Sequence, residues 1–203
     1  MLKDYSYEYE YDSRYCYPES RVLKNKLNIT DEKELLEAER EIISVRMAEI
    51  LGGRWTRGKF DFAHLKQVHK FLFGDIYDWA GKVRLVNISK GNRFCKVEFI
   101  EKQMNEIFQR LKCENFLRDV KDTQELGERL AYYLGEINAI HPFREGNGRA
   151  QRLFIEHLAH FLGYRLDFMK INREDMLLAS VKAFDCDYTM LEELIIEALE
   201  KEM

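Results

Sequence analysis

Proline is scarce in this chain, and so are the other signs of a linker or an export signal. The 203 residues include only Pro18 and Pro142 as prolines, and no low-complexity stretch or repeat separates one part from another. We therefore expect one domain. No run of about 18 apolar residues is present, and the opening Met1-Leu2-Lys3-Asp4-Tyr5 does not begin a signal peptide. The sequence predicts a cytoplasmic protein without a membrane span.

The chain also has few cysteines and a small net charge. The four cysteines are dispersed without CxxC spacing, so they are expected to be reduced thiols rather than a disulfide framework or a zinc site. The net charge is −4, which argues against a surface that binds polyanions in general. We expect no direct nucleic acid binding, and any bound nucleotide needs local positive charge.

Most of the chain has the apolar periodicity of amphipathic helices. The first such helix is predicted between a cap at Thr30 or Asp31 and a stop at Gly52-Gly53. Its apolar stripe consists of Leu35, Leu36, Ile42, Ile43, Met47, Ile50 and Leu51. Further helices are predicted over 61–73, 100–118, 123–138, 148–162, 173–184 and 188–201.

The segment Lys82–Phe99 departs from this pattern. The turn-forming stretch 89–92 has Val83 and Leu85 before it and three apolar residues after it. This pattern predicts a β-hairpin. A two-stranded hairpin on a helical body leaves an open strand edge, which is a liability unless another chain pairs with it. The hairpin is therefore either a docking element or a structural ornament with Phe94 in the core.

The segment 141–152 concentrates the chemistry of the chain. Because a residue before proline is biased away from helical dihedral angles, Pro142 predicts that a helix ends near Ile140 and that the His141 imidazole is displayed on a loop. The glycine-rich turn 146–148 then leads into a helix. Such a turn binds phosphate through unpaired N–H groups and the positive end of the helix dipole. We expect a nucleotide site here.

Two arginines and a carboxylate complete this segment. Arg149 and Arg152 are three residues apart, so they share one helix face and can flank the same polyphosphate. Glu145 precedes the loop, where a carboxylate can hold a Mg²⁺ ion that bridges phosphate oxygens. Each residue alone would suit an ordinary helix-capping loop, but the combination at this spacing favours a nucleotide site.

The segment resembles the Fic motif, HPFx(D/E)GNGRxxR, and matches it at every defined position. The resemblance covers roughly residues 15–200. Supporting segments are Tyr15-Cys16-Tyr17-Pro18, Val22 to Leu27, Phe71 to Gly81 and Asp187-Tyr188. It implies a mainly α, Fic-fold helical bundle with a small β-hairpin flap over 15–203. Residues 1–14, where four tyrosines alternate with polar residues, are expected to be a flexible tail rather than an edge strand or a partner-binding arm.

The resemblance also implies a function, which is transfer of AMP from ATP to a Tyr, Ser or Thr hydroxyl of a target protein. It assigns His141 as general base and Glu145 as Mg²⁺ ligand, with Arg152 in a catalytic role and Tyr188 at the adenosine end. Phosphate binding is assigned to Gly146, Asn147, Gly148, Arg149 and Arg152. Target docking is assigned to the flap, residues 86–94, which are Val86, Asn87, Ile88, Ser89, Lys90, Gly91, Asn92, Arg93 and Phe94. Phe143 is expected in the core.

Two alternatives remain within this fold. A Doc-like protein kinase would transfer the γ-phosphate instead, but that subfamily usually has Lys where this chain has Gly148. A catalytically silent interaction protein is disfavoured by the intact His141 and Arg152. Glu145 stands where Asp is more common, which moves the metal out by about one methylene without abolishing activity. A P-loop site is not supported because GxxxxGK[ST] is missing, and the histidines at 64, 69, 157 and 160 lack metal-ligand spacing.

Fic enzymes are commonly silenced by an (S/T)xxxE(G/N) helix whose Glu pairs with the second motif arginine, here Arg152. The pairs 6/10, 30/34 and 189/193 have the Ser/Thr-to-Glu spacing, but Tyr11, Leu35 and Leu194 stand where Gly or Asn is required. The sequence therefore predicts a toxin that is inhibited by a separate small antitoxin protein. By resemblance to stand-alone bacterial toxins of this type, the first expectation for the target is a DNA topoisomerase subunit.

Overall fold

The computed structural model describes residues 12–53, 58–90 and 92–202. Within these ranges the chain forms seven α-helices and two small antiparallel sheets. The helices are α1 (Glu32–Leu51), α2 (Phe62–Phe73), α3 (Val97–Cys113), α4 (Thr123–Ile140), α5 (Asn147–Phe161), α6 (Arg173–Phe184) and α7 (Thr189–Ala198). The strands are β1 (Ser89–Lys90), paired with β2 (Asn92–Arg93), and β3 (Tyr164–Leu166), paired with β4 (Leu199–Lys201). The predicted mainly α architecture with a small hairpin is confirmed.

Short polar side chains begin four of the helices. Asp31 precedes α1 and accepts hydrogen bonds from two amides of its first turn, which confirms the predicted start. Asp61, Asp122 and Asn172 accept equivalent bonds at α2, α4 and α6. Each cap satisfies amides that lack a partner within the helix, and a cap of this kind typically stabilises by about 1 kcal/mol.

Helix α4 is the centre of the bundle. It packs against α3, α5, α6 and α7, while α2 packs against α1 and α5. The side chains of Leu130, Ala131 and Tyr133 on α4 are completely buried. The chain therefore runs straight from the most enclosed helix into the loop 141–146 and on into α5, so both ends of that loop are fixed by the core. No helix in the described part of the chain combines the length and apolar character that crossing a bilayer requires.

The structure corrects three predicted elements. The stripe on α1 is narrower than predicted, because Leu36 and Leu51 are exposed while the charged Glu39 is buried. The last helix ends at Ala198 rather than 201, since Leu199–Lys201 become extended and pair with β3. In the strand predicted before the flap, Leu85 is 61% exposed whereas Arg84 is fully buried.

The flap is a short hairpin. Ser89 pairs with Arg93, and Lys90 with Asn92, while Ile88 is buried beneath them. Gly91 lies outside the described residues, as do residues 1–11 of the predicted tail. Residues 12–14 of that tail belong to a turn, in which the amides of Tyr15 and Cys16 donate to the carbonyl of Asp12. All four cysteines are free thiols.

Candidate active site

The backbone at His141 turns sharply where α4 ends. Ile140 is the last helical residue, as Pro142 predicts, and His141 takes a left-handed conformation with φ 54° and ψ 65°. The expectation that the imidazole is displayed is wrong, because the residue is only 5% exposed. The Phe94 ring of the flap stacks on it with 3.8 Å between ring centroids. The flap therefore covers one face of the histidine.

Burial also determines the protonation of this histidine. Burial, opposed by the hydrogen bond to the Asn138 carbonyl and assisted by the charges of Arg84 and Lys90, lowers the pKa of His141 to about 3. Nδ1 lies 3.1 Å from the carbonyl oxygen of Asn138. Since a carbonyl only accepts, the neutral ring carries its proton on Nδ1 and has its lone pair on Nε2. His141 also lines the main cleft.

The loop after His141 is held together by Asn147. Its Oδ1 accepts from the amide of Phe143, and its Nδ2 donates to the carbonyl of the same residue, both at 2.8 Å. The side-chain amide is thus used inside the loop rather than presented to the cleft. Phe143 is buried, as expected. Gly146 precedes α5 with φ 78°, and its amide donates to the Glu145 carboxylate at 2.9 Å.

His69 supports the loop from α2. The Gly81 amide donates to its Nδ1 at 2.9 Å, so the neutral ring is protonated on Nε2, which donates to the Glu145 carbonyl at 2.9 Å. Burial lowers the pKa of His69 to about 4, which keeps the ring neutral. His69 therefore has a structural role, because its ring holds the main chain of the loop.

Arg149 forms an ion pair with a carboxylate that was not predicted from the sequence. Its Nη2 lies 2.9 Å from Glu39 of α1 and 3.7 Å from Glu145. The guanidinium also sits over the Phe73 ring, 4.7 Å from its centroid. Glu39 in turn accepts from the Tyr77 hydroxyl. A glutamate within the apolar stripe of α1 was the available signal, since a buried carboxylate needs a cationic or hydrogen-bonding partner.

Arg152 occupies a more positive environment. Burial lowers the pKa of its guanidinium, and the nearby charges of Arg149 and Arg173 act in the same direction. Glu156, one turn further along α5, attracts it, but burial raises the pKa of Glu156 to about 7, so that carboxyl is only partly ionised at neutral pH. Arg152 forms no salt bridge with a residue that the structure describes. An anion would relieve this repulsion.

These groups line one cleft of about 630 Å³. One side carries His141, Glu145, Gly146, Gly148, Arg149 and Arg152. Another part of the lining comes from the region around α6, which was not predicted to belong to the site and includes Arg173 and Ser180 beside its apolar residues. Its apolar residues are Phe168, Met169, Ile171, Met176, Leu177, Val181 and Phe184. Lys90 and Phe94 of the flap also line the cleft, and the other flap residues whose side chains the structure describes do not.

Tyr188 is not brought to this cleft. Its hydroxyl donates to Glu136 on α4, and its ring lies 5.6 Å from that of Tyr132. It precedes α7 and packs on α4 outside the cleft lining.

Glu145 is a suitable ligand for a magnesium ion. Its carboxylate lines the cleft beside Gly146 and Arg149. No group of three or more metal-binding side chains occurs among the described residues. Mg²⁺ bound with nucleotides uses one or two protein carboxylates and takes its other ligands from phosphates and water, so a single carboxylate beside a phosphate-binding loop fits that chemistry.

Known proteins that are similar to this chain belong to one family. The profile of the Fic/DOC family matches residues 59–159. The Fic protein of Escherichia coli K12, named a probable protein adenylyltransferase, is 39% identical over 179 residues, which make up 88% of this chain and 88% of that protein. The protein adenylyltransferase VbhT of Bartonella schoenbuchensis is 43% identical over 182 residues, 89% of this chain. This chain spans 38% of the length of VbhT.

Solved structures show the same fold. The BepC effector protein of Bartonella tribocorum, crystallised with bound AMPPNP, superimposes with a TM-score of 0.85 at 26% identity, over 94% of this chain and 98% of that one. The N-terminal Fic domain of a Bep effector protein from Bartonella quintana, crystallised with bound ADP, superimposes with a TM-score of 0.86 at 29% identity, over 93% and 95% of the two chains.

We expect Gly146→Ala to destabilise the fold and Gly148→Ala to be tolerated. A Cβ atom at Gly146 would lie 2.3 Å from the Phe73 ring, on a backbone with φ 78°. At Gly148 the nearest atom is the flexible end of Arg152, at 3.2 Å. Urea unfolding should show a loss of about 2 kcal/mol or more for Gly146→Ala and a change below about 1 kcal/mol for Gly148→Ala. Equal effects would contradict this loop geometry.

We also expect His141 to remain neutral from pH 8 down to about 5, because its pKa is lowered to about 3 by burial. Long-range ¹H–¹⁵N spectra of the imidazole, assigned with a His141→Asn variant, would show this directly. Since the unfolded ring binds a proton near pH 6.5 and the folded ring does not, its contribution to stability is present above that pH and falls as the pH drops further. Titration of the folded ring near pH 6.5 would show that it is solvated.

Proposed function

This chain belongs to the Fic/DOC family, and because its relatives are named protein adenylyltransferases, we propose that it transfers AMP from ATP to a Tyr, Ser or Thr hydroxyl of a target protein. The observation that carries the proposal is one cleft in which the neutral His141 faces the same space as Arg149, Arg152 and the N-terminus of α5. A base and an anion-binding site are thereby held at a fixed separation. The pairing suits attack by a hydroxyl on a phosphate.

His141 acts as the general base in this proposal. Its Nε2 takes the proton of the target hydroxyl as the hydroxyl oxygen bonds to the α-phosphorus of ATP and the bond to the pyrophosphate oxygen breaks. The resulting imidazolium is stabilised through Nδ1 by the Asn138 carbonyl at 3.1 Å and afterwards releases its proton to solvent. Because the folded ring is neutral, it is ready to accept that proton at physiological pH.

The N-terminus of α5 and the two motif arginines hold the phosphates. Amides at the start of α5 lack partners within the helix and point toward anions, as does the helix dipole. Arg152 and Arg149 are assigned to the β- and γ-phosphates, and their forks keep them oriented. Asn147 contributes through the loop that it holds together rather than through its side-chain amide.

Glu145 would hold the Mg²⁺ ion. When bound, the ion would offset the negative charge that develops on the departing pyrophosphate. Glu145 itself is kept in position by the Gly146 amide on its carboxylate and by His69 on its carbonyl. The adenine and ribose are assigned to the apolar wall formed by residues around α6, in place of Tyr188.

The flap is proposed to dock the target. Each strand of the hairpin has only two residues and is paired on one side within the described chain. An extended target segment can add as a further strand through its main chain, which leaves side-chain identity largely free. The ring of Phe94 and the side chain of Lys90 reach from the same hairpin into the cleft, next to His141.

A Doc-like kinase is the second candidate, and Gly148 argues against it. A Cβ at Gly148 would already lie 3.2 Å from Nη1 of Arg152, so a longer side chain would displace that arginine. The glycine thus suits the nucleotide orientation in which Arg152 receives the terminal phosphates. A catalytically silent role is disfavoured because His141, Glu145 and Arg152 all line the cleft.

The proposal extends to a toxin that a separate small antitoxin controls in the cytoplasm. Glu34 and Glu193, which have the spacing of an inhibitory glutamate, are exposed and do not line the cleft, and the third candidate, Glu10, lies outside the described residues. Arg152 therefore has no inhibitory partner in the described part of the chain. A DNA topoisomerase subunit remains the proposed target class, by resemblance alone.

Replacement of His141 by Ala should reduce AMP transfer by at least about 10²-fold, the usual lower scale for loss of a positioned base. ATP binding should persist, because the phosphate-binding groups lie on α5. The assay incubates each protein with bacterial lysate and either α-labelled or γ-labelled ATP. Labelling from α-labelled ATP alone supports AMP transfer, while labelling from γ-labelled ATP alone would support the kinase. Transfer at the wild-type rate by folded His141→Ala would exclude this base.

Expression of the chain alone in bacteria should arrest growth, because no inhibitor accompanies it. Arg152→Ala and His141→Ala expressed at equal levels should be harmless, since one loses phosphate binding and the other the base. Co-expression with a small protein that supplies an (S/T)xxxE(G/N) helix should restore growth. A harmless wild type whose AMP transfer rises on replacing Glu34 or Glu193 would show instead that the inhibitor is part of the chain.

A further inference from the structure

Arg84 is a buried arginine at the junction of the flap and the loop that carries His141. It is completely buried, whereas its neighbour Leu85 is largely exposed. The acceptors of its guanidinium include four main-chain carbonyl oxygens, those of His141 at 2.8 Å, Val86 at 2.7 Å, Ile140 at 3.3 Å and Cys95.

These acceptors belong to three separate stretches of chain. Ile140 and His141 form the end of α4, Val86 lies on the arm that enters the flap, and Cys95 on the arm that leaves it. A guanidinium presents its N–H groups in a rigid plane, so one side chain fixes the three stretches relative to one another. A lysine, with a single ammonium on a flexible stem, cannot reproduce this arrangement.

From this geometry we infer that Arg84 is a positioning residue, which sets the distance between the flap and His141. The inference rests on the proposed docking of the target at the flap. If the target segment pairs with the hairpin, its hydroxyl reaches Nε2 only when hairpin and histidine keep a fixed separation. The Arg84 amide, which donates to the Pro142 carbonyl at 2.9 Å, adds a second connection to the same loop.

Arg84 also stabilises the loop, because buried carbonyls left without a donor cost free energy. All four of these carbonyls belong to the end of α4 and the two arms of the flap. The phosphate-binding groups, in contrast, lie on α5, and Arg84 does not line the cleft. Loss of Arg84 should therefore affect use of the target much more than nucleotide binding.

The test compares wild type, Arg84→Lys and Arg84→Met, with the exposed Arg165→Lys of β3 as the matched control. Three quantities are measured on each full chain: AMPPNP affinity by calorimetry, AMP transfer from α-labelled ATP to proteins of a bacterial lysate, and hydrogen exchange of the flap amides. We expect Arg84→Met to bind AMPPNP with nearly wild-type affinity but to transfer AMP about 10²-fold more slowly, the scale of an ångström misplacement of reacting groups. Flap amides should exchange faster.

Arg84→Lys should lie between wild type and Arg84→Met in transfer rate, and Arg165→Lys should match wild type. Wild-type transfer by both Arg84 variants would overturn the inference. So would parallel losses of AMPPNP binding and transfer, or unfolding of both variants, since Arg84 would then support the whole fold. Failure of the proposed function is a different result, because wild type itself would then give no transfer from α-labelled ATP.

Discussion

The loop between α4 and α5 is buried, and a buried main chain needs a hydrogen-bond partner for almost every polar group. Those partners come both from the loop itself and from distant parts of the chain. Asn147 binds both the amide and the carbonyl of Phe143, His69 binds the carbonyl of Glu145, and Arg84 binds that of His141. The loop therefore has one conformation before any ligand arrives. Preorganisation of this kind lets donors and bases act without rearranging during a reaction.

The two motif arginines differ in how far the surrounding charges balance their own. Arg149 is paired with the buried Glu39 and lies over Phe73, so its position is fixed by α1 and α2. Arg152 lies among positive charges, and its nearest acidic neighbour, Glu156, has a raised pKa. One arginine is thus held in place and the other is left with unsatisfied charge. In the proposed reaction, the second gains most when phosphates bind.

The sequence predicts what depends on neighbouring residues in the chain and misses what depends on distant ones. Asp31 and the end of α4 at Ile140 follow from capping and from Pro142, and the structure confirms both. The burial of His141 depends on Phe94, which lies 47 residues earlier in the chain. No local pattern indicates that contact.

Two charged residues were missed for the same reason. The position of Glu39 in the stripe of α1 hints at its burial, but neither Glu39 nor Arg84 reveals its partner, Arg149 in one case and the carbonyls of the loop in the other. Family resemblance identifies the motif that is assigned to the nucleotide. It gives no indication of these supports, and Tyr188, which it assigns to the adenosine end, instead donates its hydroxyl to Glu136 on α4 and does not line the cleft.

The Phe94 ring on His141 also concerns a competing acceptor, which is water. Bulk water far outnumbers protein hydroxyl groups, so a base in open contact with solvent would activate water and release AMP to no purpose. The aromatic face denies water one side of the imidazole, and burial keeps the ring uncharged. In the proposed reaction, the target approaches through the cleft, beside the hairpin that it is proposed to occupy. The flap would then select the acceptor as well as hold it, and ATP would be spared from hydrolysis.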